Sequence, residues 1–109
     1  MSFTQDEMRL IRKAMDLFGE IYFKAVGNSM FPAIRENQLV KVKKIDLAKI
    51  KVGDVLVFEV FGSIIAHRVV STQHKNFGPI FITKEDNSQE YLSSKYLIAK
   101  PEDVLGIIP

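Results

Sequence analysis

The 109-residue chain contains no cysteine. A disulfide scaffold, a zinc–thiolate site and a cysteine nucleophile are thereby excluded. Histidine is scarce as well: His67 and His74 are the only two, and they do not stand at paired metal-ligand spacing, so no metal site is expected. Long hydrophobic runs are missing. The longest stretch without a charge is the ten residues 25–34, which contain Gly, Asn, Ser and Pro, whereas a membrane-spanning helix needs roughly 20 apolar residues. There is no strong excess of one charge either. Fifteen basic residues against 13 acidic ones leave a net +2, which does not by itself call for a nucleic-acid partner. The opening Met1-Ser2-Phe3-Thr4-Gln5-Asp6-Glu7 carries acids where a signal peptide would carry positive charge and an apolar core. These absences predict a cytoplasmic protein with no transmembrane segment, associating with a membrane only through a partner.

What is present is ordinary globular composition, 47% apolar and 26% charged, enough for one domain over residues 1–109 with a single core. Residues 3–19 read as an amphipathic helix. Thr4 and Glu7 have capping-box spacing, Phe3 and Met8 stand where a hydrophobic staple packs, and Gly19 offers a stop. Met8, Ile11, Met15 and Phe18 form a stripe, widened by Leu10, Ala14 and Leu17. Its ordinary use is packing on the rest of the domain. Asp6, Glu7 and Asp16 weaken the alternative of a helix attracted to anionic lipid.

From residue 21 to 108 the signal is β. Runs rich in Val, Ile, Phe and Tyr occupy residues 21–26, 39–45, 54–61, 64–72, 79–84, 96–100 and 104–108, with turn residues between them. Residues 54–61 are almost continuously apolar, as in a strand buried on both faces. The pattern predicts a mainly β domain, a coiled β-sheet or small barrel, with one N-terminal amphipathic helix.

Chemistry concentrates in Gly27-Asn28-Ser29-Met30-Phe31-Pro32, after the first strand. A serine among Gly, Asn and Pro is ordinarily a turn residue. Here Gly27 allows a close backbone approach, Pro32 sets the loop exit, and Met30 and Phe31 supply apolar anchors, so Ser29 is presented in a fixed way. A serine hydroxyl needs a base to take its proton during attack. His67 is the candidate, because strand alternation puts it with Ile65 and Val69 on an apolar face. A lone histidine there is otherwise a hydrogen-bonded core residue. His74, in the polar run 73–76, reads as an exposed loop residue.

The ordered motifs decide between these readings. The run V-G-N-S-M-F-P resembles the nucleophile box, G-x-S-M-x-P, of the signal peptidase I and LexA-type serine peptidase superfamily. Further on, V-G-D-V-L-V-F, I-A-H-R-V-V, F-I-T-K-E-D-N-S and V-L-G-I-I resemble four more boxes of that family, in family order, over residues 26–108. The resemblance implies the coiled β fold of those catalytic domains, Ser29 as nucleophile and His67, 38 residues on, as general base. Histidine in place of the commoner lysine resembles the endoplasmic-reticulum, archaeal and sporulation-type signal peptidases. A neutral imidazole suits pH 7, whereas a lysine must first be desolvated. The Ser29 N–H is the implied oxyanion donor, with Asn28 as the second, because Gly27 stands where some signal peptidases carry a hydroxyl.

Asp86 aligns with the acid of the T-K-G-D-N box and is implied to hold His67 in its tautomer. Glu85 replaces that box's glycine, and only Glu90, in residues 89–92, offers a second acid. The chain resembles the catalytic core alone, and neither the membrane anchor nor the helix-turn-helix domain that accompanies these folds elsewhere is expected in it. The expectation is therefore a soluble serine endopeptidase acting on a peptide or protein precursor without a cofactor. The alternatives are a degenerate relative that binds peptides without cutting them, or a small nucleic-acid-binding barrel, for which Lys41, Lys43, Lys44, Lys49 and Lys51 would be the basic cluster.

Overall fold

Thr4 and Glu7 close the capping box that their spacing predicts. The computed structural model describes residues 2–87 and 96–109. In it the Thr4 hydroxyl accepts from the Glu7 N–H at 3.1 Å, and the Glu7 carboxylate accepts from the Thr4 N–H at 2.8 Å. These bonds hold the Glu7 carboxyl below its ordinary range. Helix α1 spans Gln5–Phe18 and ends at Gly19, whose φ of 75° is left-handed. Met8 and Met15 are buried against Val42, Val57 and Leu105, with Phe3 and Ile11 beside them. The helix therefore packs on the domain. Phe18 departs from expectation: it is 75% exposed, as Leu10 and Leu17 largely are, because the apolar arc of α1 is wider than the contact it makes.

Seven antiparallel strands form one sheet: β1 Glu20–Lys24, β2 Leu39–Lys43, β3 Val55–Val60, β4 Ser63–Lys75, β5 Gly78–Lys84, β6 Tyr96–Ala99 and β7 Val104–Ile108. Their order is β1-β2-β7-β3-β4-β5-β6, so the last strand of the chain lies inside the sheet. Among the described residues β1 and β6 are its two edges, and the sheet is open, not a closed barrel. Strand β3 is buried on both faces, as its composition predicts. Leu56 and Phe58 pack with Ile50, Val69, Phe81 and Ala99, while Val57 joins the α1 cluster and Val55 joins Met30, Ile34 and Val40.

Strand β4 is longer than the apolar run that predicts it. It continues to Lys75, which pairs with Gly78, so the β4–β5 turn is Asn76-Phe77. His74 is exposed, as expected, but it lies in a strand and not in a loop. Polar residues extend a hairpin beyond the core because the ladder bonds need no buried face. The length of β4 has a second consequence. Residues 63–68 pair with β3, but β5 pairs only with residues 68–75, so among the described residues 64–67 are laddered on one side. Among the described residues, no helix is long and apolar enough to cross a membrane.

Candidate active site

Ser29 lies in the loop that joins β1 to β2. The neck of this loop is tied by two backbone bonds of 2.8 Å, Ala25 N–H to the Gln38 carbonyl and Asn37 N–H to the Ala25 carbonyl. Met30 is buried with Ile34, Val40 and Val55. Phe31 is not an anchor: it is half exposed, with the Arg35 guanidinium 5.8 Å from its ring centre. Of the two anchors the sequence predicts only Met30 is buried, and Ile34 of the same loop takes the second place. Gly27 also serves differently from expectation. A Cβ there would meet nothing within 4 Å, so no close approach demands glycine, but its φ of +82° does.

His67 sits in β4 opposite Leu56 and is 7% exposed. Its ring meets the edge of Phe58 at a centroid distance of 6.1 Å, and its Nδ1 lies 3.4 Å from the Thr83 hydroxyl. Burial pushes the imidazole pKa below 6.5, more strongly than the nearby Glu85 and Asp86 carboxylates raise it. The ring is therefore neutral at pH 7, the form a general base requires.

Ser29 and His67 line the same cleft, of about 320 Å³, between the end of β1 and residues 64–67 of β4. Phe23, Val57, Ala66 and Ile108 make it largely apolar. Low polarity around a serine and a neutral imidazole strengthens any electrostatic contact made there. Lys41 and Lys43, by contrast, are on β2, Lys44 is engaged by Asp16, Lys49 ends a short 3-10 turn and Lys51 is exposed. The basic cluster is spread over these elements and is not part of the cleft lining.

Asp86 is brought to a different partner from the one its alignment implies. Its carboxylate accepts from Arg68 Nη2 at 2.6 Å and from Nε at 3.2 Å, and Arg68 Nη1 donates to the Gly53 carbonyl at 3.0 Å. Among the described residues no Asp86–His67 hydrogen bond forms. The reason is alternation along β4: Arg68 follows His67 and projects to the opposite face, where it captures the carboxylate in a two-pronged bond. Glu90, the other candidate acid, lies outside the described residues.

Two residues of the same box, which sequence reasoning passed over, reach the site. Thr83 is fully buried against His67. Asn87 clasps the serine loop: its backbone N–H donates to the Ser29 carbonyl and its side-chain Nδ2 to the Asn28 carbonyl, both at 2.9 Å. A peptide unit is planar, so fixing the Asn28 carbonyl also fixes the Ser29 N–H, which points the other way. No carbonyl among the described residues accepts that N–H. The expected oxyanion donor is thus held by Asn87. Asn28 contributes its main-chain carbonyl, and its side chain makes no hydrogen bond among the described residues. The signal was available in the order Thr83, Asp86, Asn87 within one box, but neutral side chains advertise no role until their neighbours are known. Comparison with protein-family models, with curated proteins and with solved structures returns no match.

Proposed function

We propose that the protein is a serine endopeptidase of the signal peptidase I and LexA type, with Ser29 as nucleophile and His67 as general base. The observation that carries this reading is that two residues 38 positions apart line one cleft. His67 removes the hydroxyl proton as Ser29 Oγ attacks the scissile carbonyl, and the Ser29 N–H stabilises the oxyanion. The imidazolium then gives the proton to the leaving amine, and water resolves the acyl-enzyme by the same route in reverse. No metal or cofactor enters these steps. Residues 64–67 of β4, which line the cleft and pair on one side only among the described residues, suit an extended peptide or protein segment that adds as a strand and seats apolar side chains in the cleft.

A fluorophosphonate probe tests the reading, because it reacts with an activated serine. Labelling of Ser29 at pH 7.5 is the expected result; a chain that stays unlabelled while still binding peptides favours a non-catalytic peptide-binding relative. Asp86 lends that second reading its support, since it is engaged by Arg68 and no carboxylate among the described residues hydrogen-bonds to His67.

The pH dependence follows from burial. Labelling is expected to be level above about pH 7 and to decline below an apparent pKa under 6.5, because protonated His67 accepts no proton. Stability moves the same way. The unfolded chain takes up the proton first, so stability is full above about pH 6.5 and falls as pH drops from there toward the folded pKa. Labelling rates and melting temperatures between pH 5 and 8 check both. A profile flat over that range removes His67 from the mechanism.

Asn87→Ala isolates the clasp. Two hydrogen bonds hold the Asn28 and Ser29 carbonyls, and only the side-chain one is lost, at a cost of about 1 kcal/mol. The labelling rate is expected to fall on the order of 10²-fold, the scale of a displaced oxyanion donor. A wild-type rate means the loop holds its shape without Asn87.

A further inference from the structure

Thr83 has one hydroxyl proton and two neighbours that compete for it. Its Oγ1 lies 3.0 Å from the Leu97 carbonyl and 3.4 Å from His67 Nδ1. The carbonyl is an acceptor only, whereas an imidazole nitrogen can donate or accept. The shorter contact takes the hydroxyl proton, so Thr83 Oγ1 turns its lone pairs toward the ring, and Nδ1 satisfies them by carrying the ring proton. The neutral imidazole has one N–H, so Nε2 is left with the lone pair.

We propose that Thr83 is the positioning residue of His67: its buried hydroxyl, relayed to the Leu97 carbonyl, sets the Nδ1–H tautomer and leaves Nε2 as the basic nitrogen. The geometry around Thr83 encourages a single arrangement. Thr83 is 0% exposed, so its hydroxyl is out of reach of bulk solvent. It lies in β5 opposite Val69 and Leu97, and Val69 is two residues from His67 on the same face of β4. This diagonal across two strands brings a β-branched side chain of restricted rotamer against the ring. Phe58 bounds the ring on another side. Among the described residues the charged groups near it are Glu85 and Asp86, and Asp86 is already engaged by Arg68.

The orienting task that a carboxylate performs in a triad thus falls here to an uncharged hydroxyl. The exchange has a chemical consequence. A carboxylate orients the ring and also balances the imidazolium, whereas a hydroxyl orients it alone. Thr83 therefore acts on which nitrogen is basic and leaves the ring's charge to be balanced by the more distant acids. The catalytic meaning of this assignment rests on the proposed Ser29–His67 chemistry, but the tautomer is a property of the resting protein and is measured without turnover.

The test is ¹⁵N–¹H two-bond correlation NMR of the full chain at pH 8, with His74→Gln identifying the His67 signals. The wild type is expected to show Nδ1 protonated and Nε2 bare. Thr83→Val, close to Thr in shape, should give a mixture of tautomers or the Nε2–H form, and Thr83→Ser should restore the wild-type pattern. Fluorophosphonate labelling should fall at least about tenfold in Thr83→Val and recover in Thr83→Ser. An Nε2–H ring in the wild type overturns the proposal, and so does an unchanged Nδ1–H ring in folded Thr83→Val. Should Thr83→Val fail to fold, the wild-type tautomer and Thr83→Ser decide the matter. A chain with the Nδ1–H tautomer but no labelling keeps the Thr83 assignment and rejects the peptidase reading.

Discussion

Ser29→Ala is expected to fold like the wild type and to lose fluorophosphonate labelling completely, with cleavage of any peptide substrate down by about 10³- to 10⁶-fold. The structural half of this expectation follows from the site. The Ser29 hydroxyl makes no hydrogen bond among the described residues, and the loop is held by Met30, by its tied neck and by Asn87. Removing one oxygen breaks none of these, so stability should move by less than about 0.5 kcal/mol. The chemical half follows from the absence of cysteine and from the place of Ser29 in the cleft that the buried His67 also lines. His67→Gln is the companion variant. It keeps a polar side chain in the cleft but removes the base, and labelling should slow by about 10²- to 10⁴-fold. Labelling rate, peptide cleavage and a thermal melt are the measurements. Undiminished cleavage by Ser29→Ala, or undiminished labelling of His67→Gln, assigns that role to another residue.

Gly106→Ala is expected to destabilise the protein by at least about 3 kcal/mol, the upper end of overpacking costs. Gly106 is in β7 opposite Val57, where β2 closes on the other side. A Cβ at this position would collide with the Lys43 carbonyl oxygen, with the Lys43 carbonyl carbon at 2.8 Å and Val42 Cγ1 at 3.2 Å. The first two are backbone atoms of the neighbouring strand. They retreat only if β2 parts from β7, two strands that pair through Lys43 and Ile107. The loss should also reach the site, since β2 carries Val40, which packs on Met30 under the serine loop. Gly53→Ala is the contrast: its φ is +99° but nothing lies within 4 Å of the added methyl. Only backbone strain of about 1–2 kcal/mol opposes it. At about 4–8 °C per kcal/mol for a domain near this size, the two melts should be well separated. A Gly106→Ala protein that melts within a few degrees of the wild type shows that β2 yields more easily than its backbone contacts imply.

The sequence by itself determined the local elements and the chemistry available to them. Thr4 and Glu7 at capping-box spacing set the start of α1, the apolar run 54–61 foretold a strand buried on both faces, and the motif around Ser29 marked that residue as the nucleophile to consider. Each depends on residues close in the chain or on simple presence, so each is legible without a fold. Tertiary structure decided the partners. Alternation along β4 is visible in sequence, but which acid waits on each face is not. Arg68 captured Asp86 because it projects to the side where the end of β5 delivers that carboxylate, and His67 met the hydroxyl of Thr83 instead. The clasp of Asn87 on the Ser29 loop joins residues 58 positions apart, and the collision awaiting a methyl at Gly106 comes from β7 sliding between β2 and β3. These contacts arise from strand order and register, which are set by burial over the whole sheet, and no short stretch of sequence contains them.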